Sequence, residues 1–169
     1  MIPVSALCAG LLLFAAFTDI KWRIIPNRTV LLLALAGITL RSGDGVQDLL
    51  GSVAIAGIIF ALMLFLFSSG MVGGGDVKLL AAASLLSTPA QVGNQLVYIA
   101  LAGGAMAALY LAWPLCLRML GRDARAANHN LPTSPSAERA EKLPGFQGDG
   151  LPYGVAICIG TLANMAFSR

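Results

Sequence analysis

GGGDVKLL, residues 73–80, places an aspartate directly after three glycines and before a short apolar run. A carboxylate beside a membrane segment is costly unless the site uses it or pairs it. Gly73, Gly74 and Gly75 would let the backbone bend sharply, adopt a positive φ angle or approach another chain closely. Asp76 is therefore the first candidate functional residue, and the rest of the chain is interpreted around it.

The composition indicates a membrane protein. Hydrophobic residues make up 57% of the 169-residue chain and charged residues 11%, and the mean hydropathy is +0.80. Such a chain has too few polar side chains to cover a globule in water, whereas a bilayer would solvate it. The net charge of +3 is weak evidence for nucleic-acid binding, so we expect no nucleic-acid partner. We expect one membrane-embedded domain over residues 1–169, in contact with membrane lipid.

Neither a metal site nor a cofactor is expected. Cys8, Cys116 and Cys158 lie in separate apolar stretches and form no C-x-x-C pair, which excludes a zinc ribbon or a redox motif of that kind. We interpret them as small buried hydrophobic residues. His129 is the single histidine, and it lies in a polar stretch without cysteine or histidine neighbours.

The hydrophobic pattern predicts an all-α, polytopic fold with six transmembrane helices. The fourth segment would rise only about 20 Å against a hydrocarbon core of about 30 Å, so either the bilayer thins or the glycine loop dips below the surface. Residues 121–150 are polar and proline-containing, and we expect a mostly irregular cytoplasmic loop there. The six segments are approximately Ile2–Phe17, Asn27–Leu40, Leu49–Phe67, Asp76–Thr88, Leu96–Leu117 and Pro152–Phe167.

The distribution of positive charge predicts the topology. Basic residues follow the first segment instead of preceding it, which favours a retained membrane helix over a secretory signal. With the N-terminus outside, nine of the eleven lysine and arginine residues fall in or beside the inner loops. This count places both Asp76 and a second aspartate, Asp19 at the end of the first segment, on the cytoplasmic face.

Two carboxylates on one face suggest aspartyl protease chemistry. If they share one proton, the ionised group can take a proton from water while the neutral group donates to the carbonyl oxygen. Because Asp76 begins a helix and Asp19 ends one, the helix dipole favours Asp76 as the more readily ionised residue. Taken separately, Asp19 could be an interfacial charge beside Lys21 and Arg23, and Asp76 a helix N-cap.

A rival acidic pair and two stripes of small residues have structural interpretations. Asp44 and Asp48 could share a helix face, but the turn signals favour a turn residue and the N-cap of the third segment. Ala100 and Gly104 recur at a four-residue spacing, which suits helix contact, although ordinary lipid-facing residues fit nearly as well. Gly160 in the sixth segment belongs to a similar pattern.

Three motifs in register resemble those of the type IV prepilin peptidases. G-x-G-D lies at Gly73–Asp76 and is followed by Lys78, and Asp19 begins a D-x5-I-P-N pattern that ends in Pro26 and Asn27. Pro152, Tyr153 and Gly154 are similar to a third signature in the last helix. The resemblance implies an intramembrane aspartyl protease of the bacterial inner membrane that removes the short basic leader from prepilins or pseudopilins at the cytoplasmic face.

The resemblance also implies roles for individual residues. Asp19 and Asp76 correspond to the catalytic dyad, and the other motif residues correspond to positions without assigned chemistry. Larger family members carry a zinc-binding insert with paired C-x-x-C motifs after the first helix, linked to N-methylation. Here a short connection without cysteine follows Asp19, which implies a peptidase-only member. The alternatives are an ion-coupled transporter or a structural membrane subunit of a pilus or secretion complex, and the sequence leaves the oligomeric state open.

Overall fold

The computed structural model describes residues 2–126 and 153–167, with side chains for residues 4–113 and 153–167. Within these residues every regular element is a helix, which confirms the all-α prediction and its six segments. The polar stretch from residue 127 to Pro152 lies outside the described residues, whereas residues 121–126 continue the fifth helix. The helices are α1 (Ile2–Trp22), α2 (Asn27–Ser42), α3 (Val46–Ser68), α4 (Gly74–Ser84), α5 (Val92–Ala126) and α6 (Tyr153–Phe167).

Three of these helices are long and apolar enough to cross a membrane. The spans are Val4–Trp22, Val46–Ser68 and Val92–Trp113. Helix α6 is apolar but shorter, with 15 residues, and α2 has 16 residues with a charged residue near each end. Helix α4 has 11 residues and rises about 16 Å, so the prediction of a short fourth segment is confirmed.

The described chain divides into two compact units. The first is formed by Met1–Gly104 and Pro152–Arg169, and its core contains buried side chains from every helix. Leu12 of α1, Leu33 of α2, Leu79 of α4 and Ile157 of α6 are fully buried there. The second unit, Ala105–Leu151, comprises the later part of α5 where it is described.

Glycine permits two very close helix contacts in the first unit. A Cβ atom on Gly37 of α2 would lie 2.8 Å from Cβ of Leu85, and one on Gly160 of α6 would overlap the backbone of Ile99 in α5. The predicted contact through Gly160 is therefore present. Gly104 is instead exposed, with open space beside it among the described residues, so the predicted helix contact is absent at this position.

A buried polar network joins α5 and α6 to the end of α4, and the sequence interpretation missed it. The Gln95 amide donates hydrogen bonds to the Ala83 carbonyl at 3.0 Å and to Thr161 Oγ1 at 3.1 Å. The Asn164 amide donates to Ser87 Oγ at 2.9 Å. These side chains supply polar partners where the short α4 ends inside the protein, a position at which backbone carbonyls would otherwise be unpaired.

Asp44 and Asp48, the rival acidic pair, lie at the turn between α2 and α3, where both have neighbours that fit a structural role. An Asp44 carboxylate oxygen lies 2.7 Å from the Arg41 guanidinium, which fits the turn interpretation. The prediction that Asp48 caps the third helix is wrong, because α3 starts earlier and its N-cap is Gly45, with φ of 119°. Asp48 lies in the first turn of α3, where the helix dipole also favours an acidic residue.

Candidate active site

The predicted site residues come from four helix ends in the first unit. Asp19 lies near the end of α1, Pro26 is the N-cap of α2, Gly73 is the N-cap of α4, and Gly154 lies in the first described turn of α6. The side chain of Ile25 links these ends, because Cβ atoms built on Gly75 and on Gly154 would both contact it, at 3.4 Å and 3.1 Å. The fold therefore assembles the motifs from both halves of the chain.

Asp19 is buried, with 6% of its surface exposed, although it lies beside a charged connection. The backbone N–H groups of Gly154 and Val155 and the charge of Arg23 act on its carboxyl group. Its Oδ2 atom makes no hydrogen bond within the described residues and lies 2.7 Å from where a Cβ of residue 154 would be. Glycine at 154 is thus required for the close approach of α6 to this carboxylate.

The chain leaves α1 by a local turn at Arg23, directly after the helix ends at Trp22. Arg23 has a φ angle of 53°, and its backbone N–H donates to the Asp19 carbonyl at 3.0 Å. A left-handed residue at this position is a common way to end a helix, although it costs energy for a residue with a Cβ atom. The turn directs the chain toward Ile25 and Pro26 and carries the Arg23 charge to the Asp19 side of the site.

Asp76 lies in the first turn of α4, outside the three candidate spans. Its Oδ2 atom folds back to within 3.2 Å of the Cβ position of Gly73. The N-cap interpretation of Asp76 is wrong, because the N-cap is Gly73 in an extended conformation with φ of −74°. The expected positive φ angle is also absent from the three motif glycines, since the positive-φ glycines of the described residues are Gly45 and Gly70.

The two aspartates act on one another electrostatically. Burial, together with the negative charge of Asp19, raises the pKa of Asp76 from its ordinary value of 3.8 to about 6. The buried thiol of Cys158 lies within electrostatic range of both carboxyl groups. The structure thus brings together the two carboxylates that the sequence singled out, although 56 residues separate them along the chain.

The remaining motif residues surround the pair to different extents. The Lys78 ammonium group donates to Asn27 Oδ1 at 3.2 Å, so the first and second motifs are in direct contact. Tyr153 packs against α5, where a Cβ on Gly103 would lie 3.0 Å from its ring. Pro152 lies outside the described residues.

Sequence reasoning missed the roles of Ile25, Arg23 and Gly103 in building the site. Ile25 belongs to the I-P-N motif, and its place in that motif was the signal that could have identified it. In the structure its side chain lies against Gly75 and Gly154. No comparable signal marked Gly103, whose contact depends on how α5 and α6 pack. Among the described residues, no three histidine, cysteine, aspartate or glutamate side chains are grouped to hold a metal ion.

Comparison with known proteins agrees with this geometry. The model of the type IV leader peptidase family matches residues 6–115, which is more than half of the chain. The chain belongs to the type IV leader peptidase family. The match includes both aspartates, the I-P-N motif and the G-x-G-D motif, whereas the motif at the start of α6 lies beyond it.

A curated member of the same family supports the assignment. The chain is 30% identical over 146 residues to a protein of Bacillus subtilis (strain 168) named prepilin leader peptidase/N-methyltransferase. The aligned region covers 84% of this chain and 54% of the relative, so the chain spans about half the length of that protein. No solved structure gives a significant match.

Proposed function

We propose that this leader peptidase family member is an aspartic endopeptidase that removes the leader from prepilins or pseudopilins. The observation that carries the proposal is the convergence of Asp19 and Asp76, each from its own family motif, in a partly buried site. The substrate class is inferred from family membership and from the name of the Bacillus subtilis relative. The scissile amide would lie between a short basic leader and an apolar helix.

The carboxyl pair can hydrolyse an amide in two proton-transfer stages. The ionised aspartate accepts a proton from water while the hydroxide oxygen bonds to the carbonyl carbon, and the protonated aspartate donates its proton to the carbonyl oxygen. The resulting tetrahedral intermediate collapses when the C–N bond breaks. The aspartate that accepted the water proton then protonates the leaving amine, and the proton from the intermediate's hydroxyl returns to the other aspartate.

We propose that Asp19 carries the negative charge of the resting pair and Asp76 holds the proton. Burial opposes a charge on Asp19, as it does on Asp76, but the N–H groups of Gly154 and Val155 and the charge of Arg23 stabilise an anion at Asp19 alone. The burial of Asp76 and the negative charge of Asp19 both oppose the ionisation of Asp76. This reverses the assignment expected from the helix dipoles of α1 and α4 alone, because the first turn of α6 also faces Asp19.

The cytoplasmic orientation and the peptidase-only character belong to the same proposal. An interfacial cluster supports a site at a membrane surface: the Lys21 ammonium group lies 4.7 Å from the centroid of the Trp22 ring, and both residues are exposed. The charge distribution of the loops favours the cytoplasmic side of a bacterial inner membrane. The connection from Trp22 to Asn27 leaves no room at this position for a zinc-binding insert.

The experiment is a cleavage assay with purified protein in detergent or in vesicles. We expect a prepilin to be cut once, with mass spectrometry identifying a free leader and a new N-terminus at the start of the apolar helix. Asp76→Asn should abolish the cut without lowering the thermal stability, because the neutral asparagine suits the partly buried position at least as well as the carboxyl group does. Full processing by Asp76→Asn, or no processing by the wild type with several prepilins, would refute the proposed function and favour a structural membrane subunit.

A further inference from the structure

The side chain of Ile25 lies between the first turns of α4 and α6. A Cβ atom on Gly75, the residue before Asp76 in α4, would lie 3.4 Å from Cδ1 of Ile25 and 3.5 Å from its Cβ and Cγ1. A Cβ atom on Gly154 of α6 would lie 3.1 Å from the same Cδ1 atom and 2.7 Å from Asp19 Oδ2. The isoleucine side chain therefore lies against α4 directly beside Asp76 and against α6 directly beside the Asp19 carboxylate.

Both the side chain and the backbone of Ile25 are stiff. Isoleucine is branched at Cβ, which restricts its χ1 angle. A following proline favours an extended backbone for the residue before it, and Pro26 is itself extended, with φ of −63° and ψ of 131°. Ile25 also packs against the buried core of the first unit. A side chain fixed in this way can set how far apart two helix ends lie.

We propose that Ile25 is a positioning residue that sets the separation of the Asp19 and Asp76 carboxyl groups. This inference rests on the proposed function, because it gives Ile25 a part in the reaction of that pair. The separation matters for two reasons. Sharing one proton requires the carboxyl groups to lie close together, whereas the attacking water must fit within reach of both.

Shortening the Ile25 side chain should bring the two carboxyl groups closer. The surrounding structure closes partly around a deleted methyl group. The Asp19 carboxyl group follows α6 in that movement, because the N–H groups of Gly154 and Val155 hold it. For carboxylates about 4–5 Å apart, an approach of about 0.5 Å raises the pH at which the second one ionises by about 0.3 unit.

Other charged and titratable groups near the pair are the same in every residue-25 variant. Arg23 acts on Asp19 from the end of α1, and the Cys158 thiol of α6 is within electrostatic range of both carboxyl groups. The Lys78 ammonium group of α4 is hydrogen-bonded to α2. Within the described residues, the charge that raises the pKa of Asp76 is that of Asp19. A change in the titration of Asp76 therefore reports the separation of the pair.

Site-resolved carboxyl titration by NMR tests the proposal without requiring turnover. Ile25→Val removes Cδ1, and Ile24→Val is the matched control, because it deletes the same methyl group from the adjacent side chain, which is 67% exposed. We expect the titration midpoint of Asp76 to rise by about 0.3 pH unit in Ile25→Val and to stay unchanged in Ile24→Val. An unchanged or lowered midpoint in Ile25→Val would overturn the proposal, because lost packing alone lowers stability without bringing the carboxyl groups together.

Prepilin cleavage supplies a second readout. Because a misplacement of about 1 Å can cost about a hundredfold in rate, we expect Ile25→Val to lower kcat by about threefold to tenfold with KM nearly unchanged. Ile24→Val should match the wild type, and thermal unfolding verifies the fold of each variant. A wild-type kcat for Ile25→Val would also overturn the proposal.

The two readouts separate this inference from the proposed function. If the wild type cleaves prepilin while neither kcat nor the Asp76 midpoint responds to Ile25→Val, the proposed function stands and the positioning role of Ile25 does not. If the midpoint rises as expected while the wild type cleaves no prepilin, Ile25 sets the separation of the pair and the proposed function fails.

Discussion

Gly154→Ala perturbs the candidate site by a displacement that can be worked out from the structure. The new Cβ atom would lie 2.7 Å from Asp19 Oδ2, about 0.7 Å short of the 3.4 Å at which ordinary contact begins. It would also lie 3.1 Å from Cδ1 of Ile25, so the new methyl group is crowded by a second side chain as well. The substitution therefore moves a candidate catalytic group by a large fraction of an ångström while deleting no polar atom.

The expected effect of Gly154→Ala is mainly on kcat. A misplacement of about 1 Å can cost about a hundredfold in rate, so we expect prepilin cleavage to slow between about tenfold and a hundredfold, with KM changing much less. Gly10→Ala in α1 is the control, since an added methyl group there meets open space among the described residues. Steady-state kinetics on both variants, with thermal unfolding to verify the fold, measures the difference. A Gly154→Ala protein with wild-type kcat would refute the geometric reasoning.

Three further predictions concern stability in detergent. Gly160→Ala puts a methyl group onto the Ile99 backbone and should lower the free energy of unfolding by about 3 kcal/mol, whereas Gly104→Ala should change it little; equal unfolding midpoints would contradict this. The pKa of Asp76 is about 6 in the folded protein against 3.8 ordinarily, so its contribution to stability is complete below about pH 4 and is lost as pH rises through 6. Asp76→Asn should flatten that decline in a pH series of thermal midpoints, and an unchanged profile would count against it. Gln95→Leu removes the donor to a carbonyl at the end of α4 and should cost about 1–2 kcal/mol by chemical unfolding, while a variant as stable as the wild type would show that the bond contributes nothing.

The sequence was informative where the determining property is local. Runs of apolar residues set the six helices, and a carboxylate beside such a run at Asp19 or Asp76 stands out without any knowledge of its neighbours. Helix limits were less predictable. Asp48 was misassigned because α3 begins at Val46, and the polarity of one residue does not set that starting point.

Properties that depend on tertiary approach could not be predicted. Gly104 stood at the right spacing for helix contact and is exposed, while Gly103, one residue earlier, packs against Tyr153. A rotation of about 100° separates neighbouring residues on a helix, and the sequence does not state which face meets a partner. The helix-dipole argument for Asp19 was incomplete in the same way, because the N–H groups that face this carboxyl group belong to α6, far away in the chain.

The proposal that Asp19 and Asp76 work as one unit is tested most directly by a mutant cycle in prepilin cleavage. Rates are measured for the wild type, Asp19→Asn, Asp76→Asn and the double variant under identical conditions. Residues that act together give single losses nearly as large as the double loss, so we predict three variants with the same residual rate. Appreciable cleavage by either single variant, or losses that multiply in the double variant, would contradict a shared-proton pair.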